Sequence, residues 1–179
     1  MGVKYPRMVF IDNADDSTEE LVRGVLGQDV VVGQDVKHWI NRLIKTLNKE
    51  NHMYTPFCVE LHGCVTDKPL YAKDRNGDFR KAPARILLSD EIERRIENLM
   101  NTHIRTNSTI FREDKGVRLF EKQWAVNKSK IRFVMDAVDE DSGLHYFEAE
   151  DGHFYLYRGT NKNESFHRRL RLQINIYVN

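Results

Sequence analysis

The amino-acid sequence predicts a mixed α/β protein, and three observations lead to this fold class. A strand, a helix and a second strand follow one another within the first 35 residues, an order that usually gives a parallel strand pair. The middle of the chain has apolar residues at helical spacing. Towards the C-terminus, apolar and polar residues alternate on both sides of Asp151-Gly152, which is typical of a β-hairpin.

The first three elements form the predicted α/β unit. Met8–Ile11 is a short apolar run that ends at Asp12 and indicates a buried strand followed by a turn. Residues 17–27, STEELVRGVLG, begin with Ser17 and a glutamate at capping-box spacing and end at a glycine, which predicts a helix. Val30–Val32 is β-branched and predicts a second strand that runs parallel to the first.

Helices dominate the prediction for the middle of the chain. Asp35 is placed to cap a helix over 36–50, and the apolar residues 54–65 predict either a second helix or a buried turn followed by a helix. Residues 66–85 contain prolines and many charges, so a long exposed loop is expected there. A helix over 89–104 then begins with a capping serine. The predicted core residues of these helices are Trp39, Ile40, Leu43, Ile44, Leu47, Ile92, Ile96, Leu99 and Met100.

The C-terminal third combines a helix, a hairpin and a basic segment. Residues 118–135 are predicted to be helical. Alternation over 146–158 around the Asp-Gly turn predicts the hairpin. Residues 161–177 form a basic segment of helical character, with the single carboxylate of Glu164 on its first turn. The core residues expected from the helix are Leu119, Phe120, Trp124 and Val126.

The composition is that of a globular domain. The chain has 179 residues, of which 40% are hydrophobic and 31% charged, and this size suits one domain. The net charge of +1 excludes a general polycation, so any binding of nucleic acid must come from local patches. Two cysteines are too few for a disulfide framework, and neither a signal peptide nor a run of about 18 apolar residues is present. An intracellular protein without a membrane span is therefore expected.

Asp12 and Glu164 are the first candidate site residues. Asp12 ends a predicted buried strand, where open α/β sheets place ligand-binding groups, and ordinary turn chemistry explains an acid there as well. Glu164 lies at a predicted helix start, where free amide groups and the helix dipole stabilise a carboxylate. Arg168, Arg169 and Arg171 follow it and either contact phosphates or form a solvated helix face.

Three other clusters each have a structural interpretation beside the functional one. Asp35, His38 and Arg42 are spaced three and four residues apart, which suits a metal or phosphate site and equally an N-cap with a partner histidine and a surface arginine. Residues 58–64 contain two cysteines and a histidine without paired zinc-site spacing, so buried free cysteines are favoured over zinc. Residues 136–141 are acidic but lack the spacing of an EF-hand, so a solvated acidic turn before the hairpin is favoured.

Three stretches in the same order resemble one protein family. They are MVFIDNADD at residues 8–16, DVVVGQDVKHWINRLIK at 29–45 and LYRGTNKNESFHRRLR at 156–171. Together they resemble the C-terminal half of eukaryotic DDE-type transposases, in particular the Mutator-like group and related transposon-derived proteins. The resemblance extends in order along almost the whole chain.

The resemblance implies a fold and a catalytic chemistry. The fold is ribonuclease-H-like, with residues 50–135 as a helical insertion before the C-terminal hairpin and helix. Such transposases hold two divalent metal ions, Mg²⁺ or Mn²⁺, between three carboxylates for strand transfer at phosphodiesters. Asp12 matches the second of these catalytic, metal-binding acids, and Glu164 matches the third.

The resemblance also implies supporting residues and partners. Asp35 and His38 match an acid–histidine element that follows the second strand, while Arg42 and Asn161 are supporting positions. Arg168, Arg169 and Arg171 are the expected nucleic-acid contacts. DNA is the implied partner, a homo-oligomer is compatible with the pattern, and the nucleus is the implied location, although the sequence does not separate nucleus from cytoplasm.

The chain departs from the family pattern at its first acid. In the family this acid lies upstream of the second, and residues 1–11 contain no Asp or Glu. The sequence therefore predicts that residues 1–179 form a single truncated catalytic-type domain, inactive alone. The strand at 8–11 is then expected to lack its central neighbour and to have a poorly covered edge.

Two other interpretations stay open at this point. In the first, the chain is a non-catalytic module, domesticated from a transposon, that binds nucleic acid or protein through its basic helices. A continuous positive patch and metal-independent, salt-dependent DNA binding would favour it. In the second, the chain is an unrelated α+β protein and the short motif matches are coincidental.

Overall fold

The structure is a computed structural model that describes residues 8–106, 108–111, 114–136, 144–148, 150 and 152–156, without the side chains of residues 114 and 115. The predicted mixed α/β class is confirmed, with five helices and three two-stranded sheets in the described part of the chain. Among those residues, no helix has the length and apolar character that a membrane crossing requires.

The N-terminal unit has the predicted strand–helix–strand order. Strand β1 is Met8–Ile11, helix α1 is Asp16–Leu26 and strand β2 is Val31–Gln34. The strands are parallel, as predicted, and are in register from Met8 opposite Val31 to Ile11 opposite Gln34. All four β1 residues are only half-buried, so the prediction of a buried strand here is wrong.

The start of α1 differs from the prediction. Asp15, rather than Ser17, caps the helix: its carboxylate accepts from the Thr18 amide at 2.9 Å, while the Thr18 hydroxyl accepts from the Asp15 amide at 2.8 Å. This reciprocal pair satisfies two backbone donors. The cap therefore lies two residues before the predicted one, because the Asp15 carboxylate reaches the Thr18 amide.

Four helices build the main core. They are α2, Val36–Ile44; α3, Tyr54–Val65; α4, Ser89–Arg105; and α5, Asp114–Lys128, with short 3-10 turns at Thr109–Phe111 and Ile131–Phe133. Their apolar faces enclose one cluster centred on Phe57, whose ring meets those of His103, Phe111 and Phe120 edge-on. The predicted core residues Trp39, Ile40, Leu43, Leu47, Ile92, Ile96, Met100, Phe120 and Trp124 are buried.

Some predictions within these helices are wrong. α2 ends at Ile44 rather than near residue 50, and the residue before α4 that takes the cap position is Leu88, with no side-chain cap. Leu119 and Val126 are 46% and 48% exposed. They lie on the outer face of α5 because the inward face follows Phe120 and Trp124, which are four residues apart.

Residues 66–85 do not form the predicted irregular loop. They contain an antiparallel hairpin of strand β3, Leu70–Lys73, and strand β4, Phe79–Ala82. The turn has Gly77 at φ +86°, and the Asp74 side chain accepts from the amides of Asn76 and Asp78 at 2.9 and 3.0 Å.

The predicted C-terminal hairpin is confirmed as strand β5, Tyr146–Glu148, and strand β6, Phe154–Leu156. It is joined to the first hairpin by the Arg75–Glu148 ion pair, while Asp74 and Arg80 pair within the first hairpin. Glu148 lies 2.9 Å from Arg75, and the buried Asp74 carboxylate lies 2.5 Å from Arg80. A Cβ at Gly152 would lie 3.9 Å from both the Arg80 guanidinium carbon and an Asp74 oxygen, so the turn residue approaches this pair closely.

Candidate functional site

Two acidic residues lie just beyond the C-terminal ends of the parallel strands. Ile11 pairs with Gln34, so Asp12 and Asp35 follow β1 and β2 at the same edge of the sheet. The Asp35 amide donates to the Ile11 carbonyl at 3.1 Å and joins the two strand ends. Helix α2 begins at this edge and contributes His38 from its first turn. A group of side chains that the sequence singled out therefore lies together.

We refer to Asp12, Asp35, His38 and Arg42 as the Asp12 edge. The His38 ring lies between the two acids: its Nδ1 is 3.2 Å from an Asp12 carboxylate oxygen and 3.7 Å from an Asp35 oxygen. Arg42, one turn further along α2, donates from Nη2 to the Asp12 backbone carbonyl. Each of these four residues thus contacts at least one of the others.

The backbone of Asp12 is held while its carboxylate is open to solvent. Its carbonyl accepts from Gln34 Nε2 at 3.0 Å in addition to the Arg42 contact. Gln34 is only 1% exposed, whereas the Asp12 side chain is 64% exposed. Gln34 at the end of β2 and Arg42 on α2 therefore fix the backbone of Asp12, while its carboxylate remains accessible to a ligand.

Asp35 has the structural role that was one of its two interpretations. It is 4% exposed, and its Oδ1 accepts from the amides of Lys37 and His38 at 2.8 and 3.2 Å. These bonds satisfy free donors at the start of α2. The carboxylate is therefore engaged in capping and fixes the direction in which α2 leaves the sheet, which in turn places His38 and Arg42.

Arg42 adds a positive charge beside Asp12. Partial burial lowers the pKa of its guanidinium, and the Asp12 charge opposes that change. An arginine keeps its proton at any ordinary pH, so the site combines one exposed carboxylate with a fixed cation.

The other acids near the strand end are engaged elsewhere. The Thr18 amide, together with the Ser17 and Thr18 hydroxyls, holds the pKa of Asp15 well below its usual range. Lys130 approaches the same carboxylate at 3.4 Å, and Arg132 pairs with Asp16 at 2.7 Å. Asp15 therefore serves as a helix cap beside Lys130, and Asp16 is held in an ion pair.

The cysteines of α3 are free, as the sequence favoured. Cys64 is buried, and burial raises the pKa of its thiol to about 11. Burial also raises the pKa of the Cys58 thiol and lowers that of the His62 imidazole. Thiols with raised pKa values stay protonated at neutral pH and are poor ligands for zinc.

The described residues do not make up a two-metal centre. In that part of the chain, no three or more His, Cys, Asp or Glu side chains are grouped so that they could hold a metal ion. Two ions held about 4 Å apart need bridging and terminal oxygens from several carboxylates. Asp12 offers one accessible carboxylate, and that of Asp35 is used by the cap. Any Mg²⁺ or Mn²⁺ site at this edge requires further ligands.

The remaining predicted site residues lie outside the described part of the chain. They are Glu164, Asn161, Arg168, Arg169 and Arg171. The approach of Glu164 to Asp12 stays a prediction.

Two features were not predicted from the sequence: a lysine that contacts the residue after Asp12, and the β3–β4 hairpin. Lys130 donates to the Asn13 side chain at 2.8 Å from more than 100 residues away, and no local signal reports such a contact. The β3–β4 hairpin was also missed, although Asn76-Gly77 is a typical hairpin-turn dipeptide. Its outer face carries Tyr71 and Phe79, both about 70% exposed.

Comparison with known proteins gives no relative: no protein-family profile, no curated protein and no solved structure matches the chain.

Proposed function

We propose that the chain is a transposase-derived domain of the ribonuclease-H-like class, in which the Asp12 edge is the remnant of a phosphodiester-transfer site on DNA. The observation that carries the proposal is the exposed Asp12 carboxylate at the C-terminal end of a parallel strand, with His38 at 3.2 Å. Carboxylates at this edge of an α/β sheet are placed to bind a ligand or a metal ion.

Each neighbour of Asp12 has a part in the proposed site. Gln34 and Arg42 hold the Asp12 carbonyl, which fixes the backbone from which the carboxylate projects. Asp35 directs α2, and His38 restricts the carboxylate on one side. The site is incomplete with these residues alone, so we expect Glu164 to supply a second carboxylate and the chain to be inactive in strand transfer on its own.

Binding of a divalent cation tests this function. Titration calorimetry with Mn²⁺ is expected to show weak binding by the wild-type chain, because few charged ligands give low affinity. Asp12→Asn and Glu164→Gln each remove one carboxylate and are expected to abolish the heat of binding. A matched control is Asp29→Asn, which removes an exposed acid from the loop before β2 and should leave the titration unchanged.

Two outcomes would contradict the proposal. If Mn²⁺ bound equally to the wild type and to Asp12→Asn, the cation would lie elsewhere and the edge would be structural. If the wild type bound no divalent cation at all, a retained remnant of the metal site would be excluded. Circular dichroism of each variant confirms that a lost heat signal does not reflect unfolding.

A further inference from the structure

The β3–β4 hairpin carries an aromatic and basic surface separate from the Asp12 edge. Tyr71 lies opposite Lys81 and Lys73 lies opposite Phe79. Because alternate residues of a strand share a face and directly paired residues lie on the same side, these four side chains occupy one face of the hairpin. We call them the hairpin platform.

The platform is the solvent side of a two-sided hairpin. Tyr71 is 70% and Phe79 is 69% exposed. On the opposite face, Ala82 is buried and Arg80 is half-buried against Asp74. Two large exposed rings on one short hairpin form an apolar surface of a kind that marks a contact site in soluble proteins.

Positive charge is interleaved with the rings. The Lys73 ammonium lies 5.2 Å from the centre of the Phe79 ring, and Lys81 is beside Tyr71 across the strands. Residues 70–82 contain four Lys or Arg against two Asp. Arg80 pairs with Asp74 and Arg75 pairs with Glu148, so Lys73 and Lys81 remain as the positive side chains of the hairpin and Asp78 in the turn as the negative one.

The hairpin is held in place before any ligand arrives. The Asp74 side chain ties the turn, and Arg75 bonds Glu148 of the second hairpin through both its backbone amide and its side chain. Gly152 approaches the Asp74–Arg80 pair from the same side. A preorganised surface loses less conformational entropy on binding.

We propose that the hairpin platform binds single-stranded DNA, with bases stacked on Tyr71 and Phe79 and phosphates contacted by Lys73 and Lys81. Aromatic rings between cations are the general means by which proteins bind unpaired strands. The two rings are diagonal neighbours, about 7–8 Å apart, which is about twice the rise of about 3.4 Å per nucleotide in a duplex strand. An extended, unstacked strand therefore suits the spacing.

Other partners fit the surface less well. The base faces of a duplex are stacked on one another and are closed to the rings. Protein interfaces are enriched in aromatic residues but depleted in lysine, and half of the platform is lysine. The choice of DNA over RNA rests on the proposed function, because none of these side chains is specific for a ribose hydroxyl.

Fluorescence anisotropy with a labelled 12-nucleotide oligo-dT in EDTA tests the platform. Tyr71→Ala and Phe79→Ala are each expected to weaken binding about tenfold, and together about 100-fold. Phe79→Trp keeps a stacking ring and is expected to keep the affinity. In Lys73→Gln/Lys81→Gln, the slope of log affinity against log salt should fall by about 1.4, which is about 0.7 for each phosphate contact.

Matched controls separate the platform from general surface effects. Leu21→Ala/Val25→Ala removes two side chains that are each 69% exposed on α1, and Lys49→Gln/Lys122→Gln removes two exposed lysines. Both controls should bind like the wild type. Because EDTA removes divalent cations from the assay, failure of the metal-site proposal leaves this result distinct.

The proposal would be overturned by a wild-type chain that does not bind oligo-dT, or by binding that the platform variants and the controls lose equally. Retained affinity in Tyr71→Ala/Phe79→Ala would assign the DNA contact to another surface. Equal or tighter binding of a 12-base-pair duplex would exclude base stacking, and a tenfold preference for oligo-rU would overturn the choice of DNA. Thermal melts of each variant show that it is folded in the assay.

Discussion

Replacement of Phe57 by alanine is expected to lower the free energy of unfolding by about 3–5 kcal/mol. Phe57 is fully buried, and its ring meets His103, Phe111 and Phe120 edge-on with centroids 4.9, 5.3 and 5.6 Å away. It therefore joins α3 to α4, α5 and the intervening 3-10 turn. Removal of the ring leaves a cavity that three rigid aromatic neighbours cannot easily fill.

Urea unfolding followed by circular dichroism measures this loss. Val59→Ala is the matched control, since Val59 is on the same helix and is 67% exposed, and its variant should remain within about 0.5 kcal/mol of the wild type. A loss below about 1 kcal/mol in Phe57→Ala would show that the ring is not the centre of the core.

Asn127→Asp is expected to destabilise the protein by about 1–3 kcal/mol, and more strongly at neutral pH than at low pH. Asn127 is fully buried on α5, and its Nδ2 donates to the Trp39 carbonyl at 2.8 Å. The substitution replaces this donor with a carboxylate oxygen facing a carbonyl. The indole of Trp39 still donates to the Asn127 backbone, so the helices stay in register while the buried pair is broken.

The pH dependence of this variant has a definite sign. Burial raises the pKa of a carboxyl group above its unfolded value of about 3.9. Below the unfolded pKa the acid is protonated in both states, and the charge costs no stability. As the pH rises from the unfolded pKa towards the folded pKa, the free energy of unfolding of the variant falls. Unfolding at pH 3.5 and pH 7, each referred to the wild type, measures the difference. Asn98→Asp, at an exposed position of α4, is the control and should show little pH-dependent loss.

The parts of the fold that the sequence predicts are those with a local physical cause. Asp35 precedes an amphipathic run and caps α2 as predicted, because the side-chain acceptor and the amides lie within three residues. The parallel pairing of β1 and β2 follows from their short apolar runs and the single helix between them. The turn at Gly152 follows from an Asp-Gly dipeptide between alternating segments.

The predictions that failed required information from distant residues. The charges in residues 70–82 predicted a loop. In the structure, Arg75 forms an ion pair with Glu148 and Asp74 forms one with Arg80, so these charges stabilise a hairpin. Leu119 was predicted in the core because it is apolar, although its side chain is exposed on α5. The apolar periodicity of one helix does not show which of its apolar residues pack against neighbouring elements.

The candidate site was predictable in part. Helical spacing indicated that Asp35, His38 and Arg42 share one face of a helix, whereas the contacts of Asp12 with His38 and Arg42 were not predicted. The separate roles of the two acids were not predictable. Asp35 is buried and accepts hydrogen bonds from amides, because it is the N-cap residue of α2. Asp12 does not cap a helix, and its side chain is open to solvent.

The central claim is that Asp12 and Glu164 meet at one divalent-cation site, and local backbone cleavage by bound Fe²⁺ tests it most directly. Fe²⁺ replaces Mg²⁺ or Mn²⁺ at oxygen-rich sites, and with ascorbate and peroxide it cuts the chain beside the metal. The account predicts cleavage near residue 12 and near residue 164 in the wild type, with both cuts lost in Asp12→Asn and kept in Asp29→Asn. Cleavage at only one of the two places, or cuts that persist in Asp12→Asn, would contradict it.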